Sequence, residues 1–326
     1  MMNVIYANAR AKALENGLLG MDRLNRMIDS PSPEESMKIL SEVNFGGGVF
    51  VDSYMNFEKL ISAEEKAFIS FIKADCPSDA IKNYFLLPFD FHNAEAFIKE
   101  KYLKKQLSDL TVESGLIDKE MMKEKIMLDE YKSFPEEMAK ALMFSDNEFT
   151  SGKANGASIN AAFKCGLYKE LYKNAKKDAV LRQIFSVRAD SINVGVALRS
   201  GNYATAKRFF VVGGKLTDNE LKSLCDEPIE TLKEKFKFAE IGSLIGLAAD
   251  SLSKDGSLSD FETEADGYAL DLLKKRKYST EGAIPFMLYC YYKLAEIKNV
   301  RMILVGLING TEKSEIKRRL RNTYEG

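Results

Sequence analysis

Histidine is almost missing from this chain, tryptophan is missing altogether, and the four cysteines stand far apart. A lone His92 excludes HExxH zinc sites and paired ExxH di-iron sites, which need more than one imidazole. Cys76, Cys165, Cys225 and Cys290 form no CxxC, so neither a zinc knuckle nor a thioredoxin-type pair is available. In a reducing compartment they read as small buried apolar side chains. No apolar run approaches the roughly 20 residues that span a bilayer. Neither sign of charge dominates: 47 Lys and Arg stand against 48 Asp and Glu, so the basic excess of a nucleic-acid binder is absent. The opening stretch MMNVIYANARAKALENG lacks the apolar centre of a signal peptide, which places the chain in the cytosol as an expectation. Strand patterns are scarce as well. RFFVVGG (208–214) is the one strand-like stretch, and a helix end running into a glycine cap explains it equally well.

What remains is helix. Apolar residues recur every three or four positions in AEEKAFISFIKA (63–74), KEKIMLDEYKSF (123–134), LYKELYKNAKKDAVLRQIF (167–185) and IETLKEKFKFAEIGSLIGLAADSL (229–252). SPSPEES (30–36) and LTDNEL (216–221) place capping residues ahead of acidic first turns. Two longer loops, FSDNEFTSGKANGAS (144–158) and SKDGSLSD (253–260), are the best boundaries between units. The expected fold is all-α.

A skeleton appears three times. Phe85, Asp90, Asn93 and Ile98 share one spacing with Phe185, Asp190, Asn193 and Leu198, and with Tyr291, Glu296, Asn299 and Leu304. SGLID, ending at Asp118, echoes GKLTD, ending at Asp218. Near the amino terminus Asn8 and Arg10 resemble Asn299 and Arg301, while Leu19, Leu24 and Pro31 keep the spacing of Leu216, Leu221 and Pro228. The chain therefore reads as three similar helical units of about 100 residues in tandem: residues 1–92, 93–192 and 193–298, closed by 299–326.

Each acid–Asn pair lies on one helix face and has two readings. As chemistry, it offers one carboxylate for acid–base work. It supplies no clustered acids for a divalent metal, and its triplication fits architecture better than three active sites. As structure, the acid accepts and the Asn donates hydrogen bonds to loop or helix-end backbone. With Pro88 just ahead of it, Asp90 reads as an N-cap. VVGGKLTD (211–218) fails as a phosphate loop, since Phe209 and Leu216 stand where Gly and Ser or Thr are required. NFGGGVF (44–50) lacks the spacing of a dinucleotide site. No cofactor or metal is expected. Two basic clusters remain: Lys274, Lys275, Arg276 and Lys277, then Lys313, Lys317, Arg318, Arg319 and Arg321. They are solvated helix faces or helix-dipole partners, or else surfaces for acidic protein loops or an anionic bilayer.

The run EIKNVRMILVGLINGTEKSEIKRRLRNTYEG resembles the last helices of the C subunit of V-type/A-type ATP synthases, the family that includes the eukaryotic V-ATPase d subunit. YANARAKALENGLL, SEVNFGG and DFHN are similar to its other signatures, and Asp190 with Asn193 matches its middle one. Phe45 stands where the family often has Tyr, and Leu307 where a Lys is common. The resemblance implies a funnel of three all-helical subdomains about a pseudo-threefold axis. It implies a non-catalytic rotor subunit, peripheral on the cytoplasmic membrane face. There it would join the D and F stalk subunits to the proteolipid ring and transmit torque for ATP-linked proton or sodium transport, with no membrane span of its own and no nucleic acid. A helical-repeat scaffold binding acidic protein partners is the alternative.

Overall fold

A computed structural model describes residues 3–104, 110–278 and 282–324. The final two residues of the family-like run, 325 and 326, lie outside the described residues. Sixteen α-helices and no strand are found among the described residues. In chain order they begin with α1 (Val4–Glu15), α2 (Gly20–Asp29), α3 (Pro33–Ser41), α4 (Glu58–Asp75) and α5 (Asp79–Leu103). There follow α6 (Lys119–Met127), α7 (Glu136–Thr150), α8 (Gly156–Ala175), α9 (Ala179–Ser200), α10 (Tyr203–Ala206) and α11 (Asp218–Asp226). The series ends with α12 (Ile229–Lys235), α13 (Gly242–Asp255), α14 (Ser259–Lys274), α15 (Ile284–Ile308) and α16 (Lys313–Arg318).

The chain divides into two compact units, Met1–Ser78 with Asp250–Gly326, and Asp79–Ala249. In the first, Ile297, Val300, Ile303 and Leu304 of α15 pack on Leu24, Met27 and Ile28 of α2, Ile39 and Leu40 of α3, and Ile61 of α4. Each such side chain contributes roughly 1.5–3 kcal/mol by leaving water. Phe71 of α4 stacks on Phe286 of α15 at 5.1 Å. In the second unit, α5 buries Phe85, Phe91, Phe97 and Ile98, and Phe185 of α9 lies against Tyr168 of α8 at 5.4 Å. The three longest helices, α5, α9 and α15, carry the repeated skeleton. α15 buries seven residues in succession, Ile284 to Cys290, so its apolar surface runs around the helix rather than along one stripe. A polar side chain placed in the buried middle of such a helix must find partners there.

Local chemistry explains where helices stop. The periodic stretch 123–134 breaks after α6, where Asp129 takes the left-handed conformation (φ 61°). The stretch 167–185 is two helices, because Asp178 accepts a hydrogen bond from the Leu181 N–H and starts α9 afresh. The stretch 229–252 breaks between α12 and α13. RFFVVGG forms a 3-10 turn and an open loop rather than a strand or a glycine-capped helix. The loop 144–158 is shorter than its composition suggests, since α7 continues to Thr150. Pro88 lies inside α5, so Asp90 is a mid-helix residue and not an N-cap. Both expected helix starts are present. Ser32 caps α3 ahead of Pro33, and Thr217 with Glu220 forms a reciprocal capping box on α11. Thr217→Ala should cost about 1 kcal/mol, read as a lower urea midpoint with an unchanged slope.

Candidate functional site

The second acid–Asn pair shows the design most simply. Asp190 and Asn193 project from the buried middle of α9, each 3% exposed. Asn193 Oδ1 accepts from the Val211 N–H at 2.8 Å, and its Nδ2 donates to the Val211 carbonyl at 2.9 Å. One amide thus satisfies both backbone groups of one loop residue. Asp190 accepts from the Lys215 N–H at 2.8 Å and the Leu216 N–H at 3.0 Å, one carboxylate oxygen for each. The loop from 211 to 216 is therefore clasped to α9 by four hydrogen bonds, immediately before the capping box of α11. Gly214 makes this contact possible: a Cβ there would sit 2.0 Å from Asp190 Oδ1.

The first pair repeats the clasp on α5. Asn93 accepts from the Val112 N–H at 2.8 Å and donates to its carbonyl at 3.2 Å. Asp90 accepts from Leu116 and Ile117 at 2.7 and 3.2 Å. Gly115 takes the place of Gly214, with its would-be Cβ 2.6 Å from Asp90 Oδ1. The bonds correct the sequence alignment by one residue. Asp118, the N-cap of α6, corresponds to Thr217 rather than to Asp218.

The third clasp is assembled from two distant stretches of chain. Asn299 of α15 accepts from the Arg321 N–H at 3.0 Å and donates to the Arg321 carbonyl at 2.9 Å. The acid's partner is not downstream of Arg321. Glu296 Oε2 instead accepts from the Leu19 N–H at 2.5 Å, 277 residues away in sequence. Gly17, Leu18 and Leu19 thus stand where Gly214, Lys215 and Leu216 stand in the second copy, and α2 follows them as α11 follows Leu216. The spacing of Leu19, Leu24 and Pro31 has this physical meaning: the amino-terminal stretch is the missing second half of the third copy.

This third clasp also carries a charge network that the repeat skeleton omits. Glu296 Oε1 meets Lys293 Nζ at 2.7 Å, and the same ammonium meets Glu64 Oε2 at 2.6 Å. Glu64 Oε1 accepts from the Gly46 N–H at 2.6 Å, so NFGGGVF is held here by its backbone. Lys293 also lies 5.3 Å above the Phe45 ring. Burial works to lower Lys293, but Glu296 and Glu64 outweigh it and hold the ammonium above its ordinary value. Burial raises Glu296 against the opposing pull of Lys293. Burial likewise raises Asp190, in part offset by the N–H groups of Lys215 and Leu216. Residues 87 and 187 in the other copies are Leu and Val, so no lysine is available there.

The remaining sequence candidates separate clearly. Arg301 clamps Glu58, with contacts at 3.0 Å, and reaches Glu65 at 3.2 Å. Asn8 donates to the Gly282 carbonyl at 3.0 Å, and Arg10 pairs with Asp75 at 3.1 Å, echoing Asn299 and Arg301. The second basic cluster is neutralised within its own unit. Lys317 pairs with Asp29 at 2.8 Å, Arg318 with Glu315 at 3.1 Å, Arg319 with Glu315 at 2.7 Å and Arg321 with Asp266 at 2.8 Å. Lys313 donates to the carbonyls of Asp29 and Ser30. In the first cluster, Lys275, Arg276 and Lys277 are exposed, and Lys274 lies 5.9 Å from the Tyr292 ring. No group of three His, Cys, Asp or Glu suited to a metal ion is found among the described residues. Both carboxylate oxygens of Asp90 and of Asp190 already accept backbone hydrogen bonds. These acids can act as fixed anchors for loops, whereas acid–base chemistry would need an oxygen open to a substrate.

Comparison with known proteins places the chain in a family. A family model described as ATP synthase (C/AC39) subunit matches residues 7–319. The C subunit of the A-type ATP synthase of Methanocaldococcus jannaschii is 25% identical over 345 residues, covering 96% of this chain and 84% of that protein. The C subunit of the V-type sodium ATPase of Enterococcus hirae is 21% identical over 335 residues, covering 97% of each.

Two outcomes are expected from the clasps. Asp190→Ala removes the carboxylate that pairs two half-buried N–H groups and should lower unfolding free energy at neutral pH by about 1–3 kcal/mol; Gly214→Ala, forcing a methyl onto the same carboxylate, should also destabilise by about 1–3 kcal/mol. Chemical denaturation measures both, and a neutral result for either would overturn the clasp. Because Asp190 is raised in the fold, the folded chain keeps this proton to higher pH than the unfolded chain does. The margin of wild type over Asp190→Ala should therefore be largest at low pH and shrink as pH rises from 3.8 through the folded midpoint.

Proposed function

The chain belongs to the ATP synthase (C/AC39) subunit family of V/A-type ATPases, and we propose that it is the non-catalytic rotor piece joining the D and F stalk subunits to the proteolipid ring. The observation that carries the reading is the family match from residue 7 to residue 319, which takes in the acid–Asn pairs of all three clasps. A part that passes torque between ATP turnover and ion movement must resist shear, and close-packed helices have low compressibility. The clasps extend that stiffness to the loops. Each ties an otherwise open connection to the middle of a long buried helix, where opening would expose unpaired backbone groups. In this proposal the three clasps mark three units in tandem, the last one closed by residues 17–19. The protein is peripheral on the cytoplasmic face of the membrane. Among the described residues no helix is long and apolar enough to cross a membrane.

Affinity purification of the tagged chain from native membranes tests the assignment. Proteolipid and stalk proteins should co-purify, and a chaotropic salt should release the chain without detergent. Recovery with soluble acidic proteins and no proteolipid would overturn it in favour of a helical scaffold. In the assembled complex, Asp190→Ala should lower ATP-driven ion transport more than ATP hydrolysis, because a softened coupling part leaves catalysis intact. Equal loss of both activities would count against the coupling role.

A further inference from the structure

A cleft of about 470 Å³ opens between α1, α4 and α15, inside the first unit and beside the third clasp. Its ends are marked by two acids on one face of α4. Glu64 and Asp75 stand about three helical turns apart, roughly 16 Å along the axis. Both line the cleft and both are buried, at 7% and 1% exposure. Between them the lining is mostly carbon, from Ala67, Phe71 and Ala74 of α4 and Leu14 of α1. The polar groups here have capacity left over. At one end Glu64 and Glu296 share the single ammonium of Lys293, so the three charges sum to one negative. At the other, Asp75 Oδ2 lies 3.1 Å from the half-exposed Arg10 yet accepts no hydrogen bond. Tyr289 of α15 stands between the ends, edge-on to the Phe71 ring at 5.0 Å. It is 7% exposed and lines the cleft, and its hydroxyl makes no hydrogen bond among the described residues. Burial holds this phenol up at about 12, so it stays neutral and its oxygen is free to accept.

Buried polar groups rarely go without partners, and a concave, mostly apolar site with a few such groups is the usual form of a small-molecule pocket. We infer that the cleft binds a linear aliphatic polyamine. One terminal ammonium answers the surplus negative charge at Glu64, and the other meets the unbonded oxygen of Asp75. An inner ammonium donates to the Tyr289 hydroxyl, and the methylene segments cover the carbon lining. A metal ion does not suit the place. It needs several converging oxygens, and no group of three His, Cys, Asp or Glu suited to one is found among the described residues. A dicarboxylate would set like charges together in a buried site. An extended tetraamine such as spermine matches the span between the two acids, whereas putrescine reaches only one of them. This binding goes beyond the coupling role, and every residue it uses belongs to the one chain, so its test needs no other component of the complex.

Calorimetric titration of the full chain with spermine, putrescine or the dicarboxylate suberate, at constant ionic strength, reads the site. Spermine should bind once per chain, about tenfold or more tightly than putrescine, because the shorter amine forfeits one charge-assisted contact. Tyr289→Phe keeps the ring and removes only the hydroxyl, and should weaken spermine about two- to tenfold. Ala67→Leu, at an exposed position of α4, fills the lining and should remove spermine binding while leaving the urea midpoint of unfolding unchanged. Should that variant lower the midpoint, Tyr289→Phe alone decides. Spermine binding untouched by Tyr289→Phe, or putrescine binding as tightly as spermine, would overturn the inference. So would suberate binding in place of spermine, or no detectable spermine binding at all.

Discussion

A buried acid and a buried asparagine, one helical turn apart, fasten loop backbone to the middle of each of the three longest helices. In the first two copies the asparagine matches both backbone groups of one loop residue, and the acid accepts two consecutive N–H groups. Each loop is then in register with the helix that follows it, because the clasp ends one residue before the N-cap. The same constraint selects glycine at 115 and 214, where any side chain would collide with the carboxylate it is meant to admit. Helix, loop and next helix thus form one cooperative piece.

The third copy reaches the same end by a different route. Its loop is supplied from two distant stretches of the chain, so closing it brings residues 17–19 and residue 321 to one helix. Loop closure over 277 residues carries an entropic cost that a local connection avoids. This copy also has the longer glutamate and the lysine that bridges it to Glu64. Lys293 is held above its ordinary value by Glu296 and Glu64, so its ammonium stays charged at neutral pH. Through the Gly46 N–H it brings a second loop into the same network. One ammonium therefore organises the meeting of α4, α15 and both glycine-bearing loops.

The proposed rotor role would gain from such a scheme, because loops, normally the softest elements of a helical protein, are here anchored by hydrogen bonds to long helices. The chain matches the family model from residue 7 to residue 319 while sharing about a quarter of its residues, or fewer, with the compared relatives.

Much of this was readable from residue order alone. Helical periodicity, the capping chemistry of Ser32 and Thr217, and the threefold recurrence of acid and asparagine are local properties of the chain. The family signatures are equally local. Breaks at Asp129 and Asp178 were hidden because apolar spacing continues across them, and a single residue's conformation or capping bond decided the stop. Pro88 suggested a helix start, yet tertiary packing carries α5 through it and turns Asp90 from a cap into a clasp. Lys293 and Glu64 stand outside the repeat and pair only through the fold. The pairing of Lys317, Arg319 and Arg321 could not be read from composition, since it is set by where the fold brings Asp29, Glu315 and Asp266. Spacing along the chain determined that the pairs recur; what they hold, and that Leu19 completes the last of them, only the tertiary structure decided, because hydrogen-bond partners are set by distance in space.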